Sequence, residues 1–162
     1  MPPRPPNIKT RRALHFATIP EAIAEADRLA AADRAGKLTQ LGNWTFGQNL
    51  GHLASWVVYS FDGPPMKIPA IVRMFIRPFR RRFLYKPMSP GRRLPKVQAG
   101  TFGTDILSTD EGLSRFHTNF NRIAAECPTK PNILLGPLTH DEWINLHLRH
   151  AELHLSFLQP ED

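Results

Sequence analysis

At 162 residues and 41% hydrophobic content, the chain has the size and composition of one globular domain with one core. No run of about 18 apolar residues occurs, which excludes a membrane-spanning helix, and the start MPPRPPNIKTRR lacks the apolar stretch of a signal peptide. The net charge of +7 is concentrated: residues 63–104 hold ten basic side chains and no acidic one, while the remainder holds eleven basic and fourteen acidic. The basic character therefore belongs to one segment and not to the whole surface.

Residues 1–15 read as a flexible N-terminal arm, rich in proline and charge. The first helix is predicted over Ile19 to Ala35, where Ala22, Ile23, Ala26, Leu29 and Ala30 recur at three- and four-residue spacing and Gly36 stops the run. A second is predicted from Phe46 to Phe61, ahead of Gly63, Pro64 and Pro65. A third runs from Thr109 to Glu126, with Leu113, Phe116, Phe120 and Ile123 as its stripe and Pro128 beyond it. The fourth runs from His140 to Leu158, before Pro160. Each start carries a Ser or Thr with Glu or Gln three residues on: Thr18 with Glu21, Thr45 with Gln48, Ser108 with Glu111, Thr139 with Glu142. This spacing satisfies two orphan backbone donors at once. No strand-like alternation of comparable length appears. The expected class is all-α, a four-helix bundle with a long basic, proline-rich connection between helices two and three. A connection of that length also permits those two helices to run parallel.

Cys127 is the only cysteine. It excludes an intrachain disulfide and a cysteine-based zinc site, and fits a reducing, cytoplasmic location. Beside Pro128 at a helix end it reads as inert. A metal would need other ligands. His147, His150 and His154 share one face of helix four, next to the stripe of Ile144, Leu148, Ala151 and Leu155. On helix two, Asn49, His52, Trp56 and Tyr59 lie beside the stripe of Phe46, Leu50, Leu53 and Val57. A histidine in so apolar a helix needs a partner for its ring nitrogens. Imidazoles at i and i+4 project from adjacent turns, so His150 and His154 are able to share one ion, and His52 supplies a third corner. Zinc, nickel or iron suits such a donor set. His147 sits about 10.5 Å along the axis from His154, too far to bind the same ion, and reads as a supporting or solvated neighbour. His15, His117 and His140 have no such context. The order His150–Ala–Glu–Leu–His154 places Glu152 about 200° round the helix from each ligand. A zinc-peptidase reading, with that glutamate as base, therefore fails.

The segments GNWTFGQNLGHLA (42–54) and GPLTHDEWINLHLRHAELHLSFL (136–158), with FATIPEAIAEADRLA (16–30), resemble the DinB-like (YfiT-like) superfamily of metalloenzymes, within a branch catalogued as a domain of unknown function. The resemblance implies one such domain over residues 16–162 and a triad of His52, His150 and His154 holding a divalent ion with open coordination. It further implies homodimers, and thiol-dependent transferase or hydrolase-like chemistry on a small molecule. The stretch RPFRRRF (77–83) departs from that pattern. The wider segment, Ile68 to Tyr85, reads as a lid whose arginines receive an anionic substrate, as a contact with nucleic acid or with an anionic membrane surface, or most plainly as a connector. In the last case its arginines face water while Ile71, Phe75, Phe79 and Leu84 cover the bundle. No nucleic-acid-binding motif accompanies it, which argues against nucleic acid. The function expected is that of a metal-dependent enzyme. The alternative is a non-catalytic bundle whose basic segment contacts an anionic partner.

Overall fold

The computed structural model describes residues 11–91, 93, 94, 97 and 100–161. Its order is α1 (Ile19–Arg34), β1 (Leu38–Gln40), α2 (Phe46–Asp62), α3 (Ala70–Ile76), a 3₁₀ turn (Arg77–Phe79), α4 (Arg80–Tyr85), α5 (Thr109–Ala125), α6 (His140–Leu155) and β2 (Leu158–Pro160). The protein is thus mainly helical, with a small two-stranded sheet. No helix of the described residues is long and apolar enough to cross a membrane.

The four predicted starts are capped by the predicted residues, though only α6 makes the full reciprocal box. Thr18, Thr45, Ser108 and Thr139 each accept a backbone N–H from the residue three further on. The reciprocal bond to the cap's own N–H is made at α6 by Glu142. At α1 the glutamate reaches one residue further back, to the N–H of Ala17. The stripes then meet in one core. Ala22, Ala26 and Leu29 of α1, Leu50, Leu53 and Val57 of α2, Phe116, Phe120 and Ile123 of α5, and Leu148, Ala151 and Leu155 of α6 are all buried together.

The closest helix pair is α2 with α5, and the two run parallel. Gly112 in the first turn of α5 lies on the backbone of Gly47 in the first turn of α2, where a Cβ on either glycine would come under 3.0 Å from backbone atoms. At the far ends, the Arg122 guanidinium lies 3.8 Å from the ring centre of Phe61. Glycine is needed here because the helices touch backbone to backbone. A parallel pair requires a long return, which the 46-residue connection supplies.

Three expectations are corrected. The all-α class gives way to a mainly helical one, because β1 and β2 pair antiparallel, with Leu38 opposite Pro160 and Gln40 opposite Leu158. Three-residue strands are too short to show a period of two. The fourth helix stops at Leu155 and Leu158 enters that sheet. The cover expected of Ile71, Phe75, Phe79 and Leu84 holds for Leu84 alone, which is fully buried. The other three are largely exposed. Of the arm, residues 1–10 lie outside the described residues. Arg11 and Arg12 hydrogen-bond to the end of α6, where Arg12 donates to the carbonyls of Leu155 and Leu158 at 3.1 and 2.7 Å.

Candidate metal centre

His52 lies in the middle of α2, buried, and its Nδ1 is 2.9 Å from the carbonyl oxygen of Phe102. A carbonyl only accepts, so Nδ1 carries the proton and Nε2 carries a lone pair. That carbonyl is delivered by residues 101–107, which run along α2. The track is a line of small residues one turn apart. Leu107 lies over Gly47 and Gly51, and Gly103 lies over Ser55. Gly103 has φ of +69°, a conformation that side chains resist.

His154, near the end of α6, is oriented by a second acceptor. Its Nδ1 is 3.3 Å from Oδ1 of Asn49. The Asn49 amide nitrogen donates back to the carbonyls of Thr45 and Trp44 at 2.9 and 3.4 Å, so it is the oxygen that faces the ring. His154 therefore also keeps its lone pair on Nε2. Acceptors behind the ring are how histidines are held ready for a metal.

The third ring, His150, brings its Nε2 to 3.3 Å from Nε2 of His52. Two nitrogens at about 2.0–2.1 Å from one tetrahedral ion stand about 3.3 Å apart. The three residues offer ligand atoms no further than 4.8 Å from one another. Burial pushes the pKa of His52 down to about 4. Burial, then the neighbouring histidines, hold His150 and His154 well below the ordinary value. All three rings are neutral at pH 7, which is the ligating form. The donor set fits a divalent metal, and His52, His150 and His154 are able to hold one.

Tryptophans wall the group. Trp44 stacks on His154 with ring centres 5.4 Å apart, and Trp56 stands edge-on to His52 and His150. The Nε1 of Trp56 is buried with no acceptor among the described residues. Tyr59 packs edge-on against Trp56, and burial, then Asp105, raise its pKa, keeping the phenol neutral.

The other histidines stand apart. His147 is buried, neither solvated nor part of the group, with Nε2 2.8 Å from the Ser60 hydroxyl and its ring stacked on Trp143. Its pKa falls to about 4 through burial. His117 pairs with Asp27 and His140 donates to the carbonyl of Ile123. His15 is exposed, 3.3 Å from Glu152. Glu152 itself faces away from the triad, where it accepts from the N–H of Phe16 and pairs with Arg149. The basic segment is fixed elsewhere. Arg80 pairs with Glu142 in the first turn of α6, about 12 Å along the helix from His150. Among the described residues it is 101–107, not the arginines, that close over His52. Sequence reasoning missed the Phe102 carbonyl, which no side-chain pattern encodes. It also passed over Trp44, whose signal was a large aromatic immediately before the Thr45 cap.

A mainly helical chain in which two helices converge three neutral histidines, with no cysteine or carboxylate in the set, defines a helical protein with a histidine-only candidate metal centre. The chain belongs to the family described as "Protein of unknown function (DUF1569)", which it matches over residues 8–161. No curated protein and no solved structure matches it.

Proposed function

We propose that this protein is a divalent-metal-dependent enzyme of the DinB-like type, with α1, α2, α5 and α6 as its four-helix bundle and His52, His150 and His154 as its metal ligands. The observation that carries this reading is the orientation of the rings. Two of the three are turned by fixed acceptors, the Phe102 carbonyl and the Asn49 amide, so that Nε2 lone pairs point away from them. A core histidine that only needs burial has no use for two such rings turned towards a third. Zinc, nickel or iron matches three imidazoles. Bound there with a position left open, the ion would supply Lewis-acid polarisation of a small substrate, a thiol or a water. The chain's own residues then have definite tasks. Asn49 and Phe102 hold the ligand tautomers, Trp44 and Trp56 exclude bulk water, and the unpaired Nε1–H of Trp56 is a donor for whatever binds beside the rings.

Elemental analysis of protein purified without a histidine tag tests this. About one metal per chain is expected, lost in His150→Ala while far-ultraviolet circular dichroism is retained. Metal-free protein whose melting temperature does not respond to added zinc, nickel or iron would overturn it.

A further inference from the structure

The connection between α2 and α5 presents to solvent what proteins usually bury. α3 has no buried residue at all. Ile71 is 57% exposed, Met74 59%, Phe75 66% and, in the turn that follows, Phe79 63%. Ile71 and Phe75 are four residues apart, with Met74 beside them, so they share one face of the helix. Phe79, four residues further on, prolongs that line. Arg73 lies on the other side. The segment is nonetheless held in place, because Leu84 is fully buried and Arg80 is paired with Glu142. The exposed face is therefore presented by an anchored element.

Charge says what covers it. Arg77, Arg81, Arg82, Lys67 and Lys86 are exposed on the same stretch. Arg73, Arg77, Arg81 and Arg82 form no ion pair among the described residues. With no acidic residue from 63 to 104, a second copy brought face to face would oppose like charges along the whole contact. Nucleic acid would satisfy the arginines but leave four large apolar side chains in water. The boundary of an anionic bilayer accepts both, with rings and aliphatic chains at the acyl level and guanidinium groups among the phosphates. Arg73, Arg77 and Arg80 also line a cleft of about 560 Å³ beside Leu135 and Pro137, which sets three guanidinium groups next to apolar walls.

We propose that residues 66–86 dock this protein on an anionic membrane surface, with Ile71, Met74, Phe75 and Phe79 entering the headgroup–acyl boundary and the arginines contacting lipid phosphate. This surface is separate from the histidine centre and stands whether or not that centre holds a metal.

Co-sedimentation of the full chain with vesicles tests it, comparing pure phosphatidylcholine with a mixture containing phosphatidylserine. Binding is expected on the anionic vesicles and to weaken with salt. The triple variant Arg77→Gln/Arg81→Gln/Arg82→Gln should lose roughly 100-fold in affinity. Phe75→Ser/Phe79→Ser should lose binding while keeping the charge. All five positions are exposed, so both variants should fold, as circular dichroism would verify. Three results would overturn the proposal. One is equal or absent binding on the two vesicle types. A second is tight binding to duplex DNA that Phe75→Ser/Phe79→Ser leaves intact. The third is a dimer in solution that the same pair dissolves.

Discussion

Helix α6 carries two polar clusters on different faces, one buried and one half-buried, and they are built on opposite principles. On one face Arg149 and Glu152 are 4% and 6% exposed and 2.7 Å apart, so their charges cancel. Arg149 also donates to the carbonyl of Phe16, and Glu152 accepts from the N–H of the same residue. On the other face three neutral imidazoles crowd together with no opposite charge among them, two of them Nε2 to Nε2 at 3.3 Å. The first cluster cancels its own charge and fastens the residues before α1 to α6, although Nε of Arg149 and Oε2 of Glu152 have no hydrogen-bond partner among the described residues. The second brings together ring nitrogens that are able to hold a metal ion. Buried polar groups that close on each other are architecture, and those that converge without closing mark where a ligand goes.

The contrast is broken most severely by removing one partner of the closed cluster. Arg149→Met should cost about 3–5 kcal/mol, because it leaves a buried carboxylate uncompensated. Urea unfolding measures this, and a loss within error of zero would show that the pair is not truly buried in solution. The metal content should stay intact, since Arg149 takes no part in the triad.

Acid should separate the two kinds of burial next. The folded-state pKa of His147 is about 4, against 6.5 for an unperturbed ring. Between those values the unfolded state binds the extra proton and the folded state does not. Stability is therefore fully present above pH 6.5 and falls as pH drops towards 4, by about 3 kcal/mol for this ring. His52 adds a loss of the same sign over the same window in metal-free protein. Urea midpoints at pH 7 and pH 4.5 should show a clearly smaller drop in His147→Gln. An undiminished acid sensitivity would remove His147 from the account.

A subtler change sharpens the open cluster. Asn49→Leu removes the acceptor behind His154 without touching a ligand. Metal affinity should fall about 10–100-fold, the usual consequence of losing such a partner. Competition with a fluorescent chelator would read it, and unchanged affinity would mean that Asn49 does not set the ring's tautomer.

Much of this is legible in the sequence. The four caps marked the helix starts because the same Ser or Thr spacing recurs just where each apolar stripe begins. The offset stripes of α2 and α6 predicted that His52 and His150 would approach, because helical period decides which residues share a face. What escaped notice depends on long-range fit. Ile71, Phe75 and Phe79 look like core residues by period, yet whether a short apolar helix finds a partner is settled by the rest of the fold. The parallel run of α2 and α5, which the length of their connection permits, is settled by Gly47 and Gly112, whose meaning appears only when their backbones touch. The Arg149–Glu152 pair had a signal, opposite charges at i and i+3, but that spacing is far more often solvated than buried.

Residues 101–107 hold His52 in register with a carbonyl oxygen, seated over the missing side chains of Gly47 and Gly51. Alanine scanning of that segment would, outside Gly103, leave its carbonyls in place and report little, although the orientation of a candidate ligand depends on it. The informative changes lie on the other side of the contact, where side chains are added and not removed. Gly51→Ala would meet only the tip of the Leu107 side chain, whereas Gly47→Ala would press on the backbone of Leu107 and Ser108 and shift the segment bodily. Its effect on the histidine centre would then be remote in chemistry, though the residue lies on the same helix as His52.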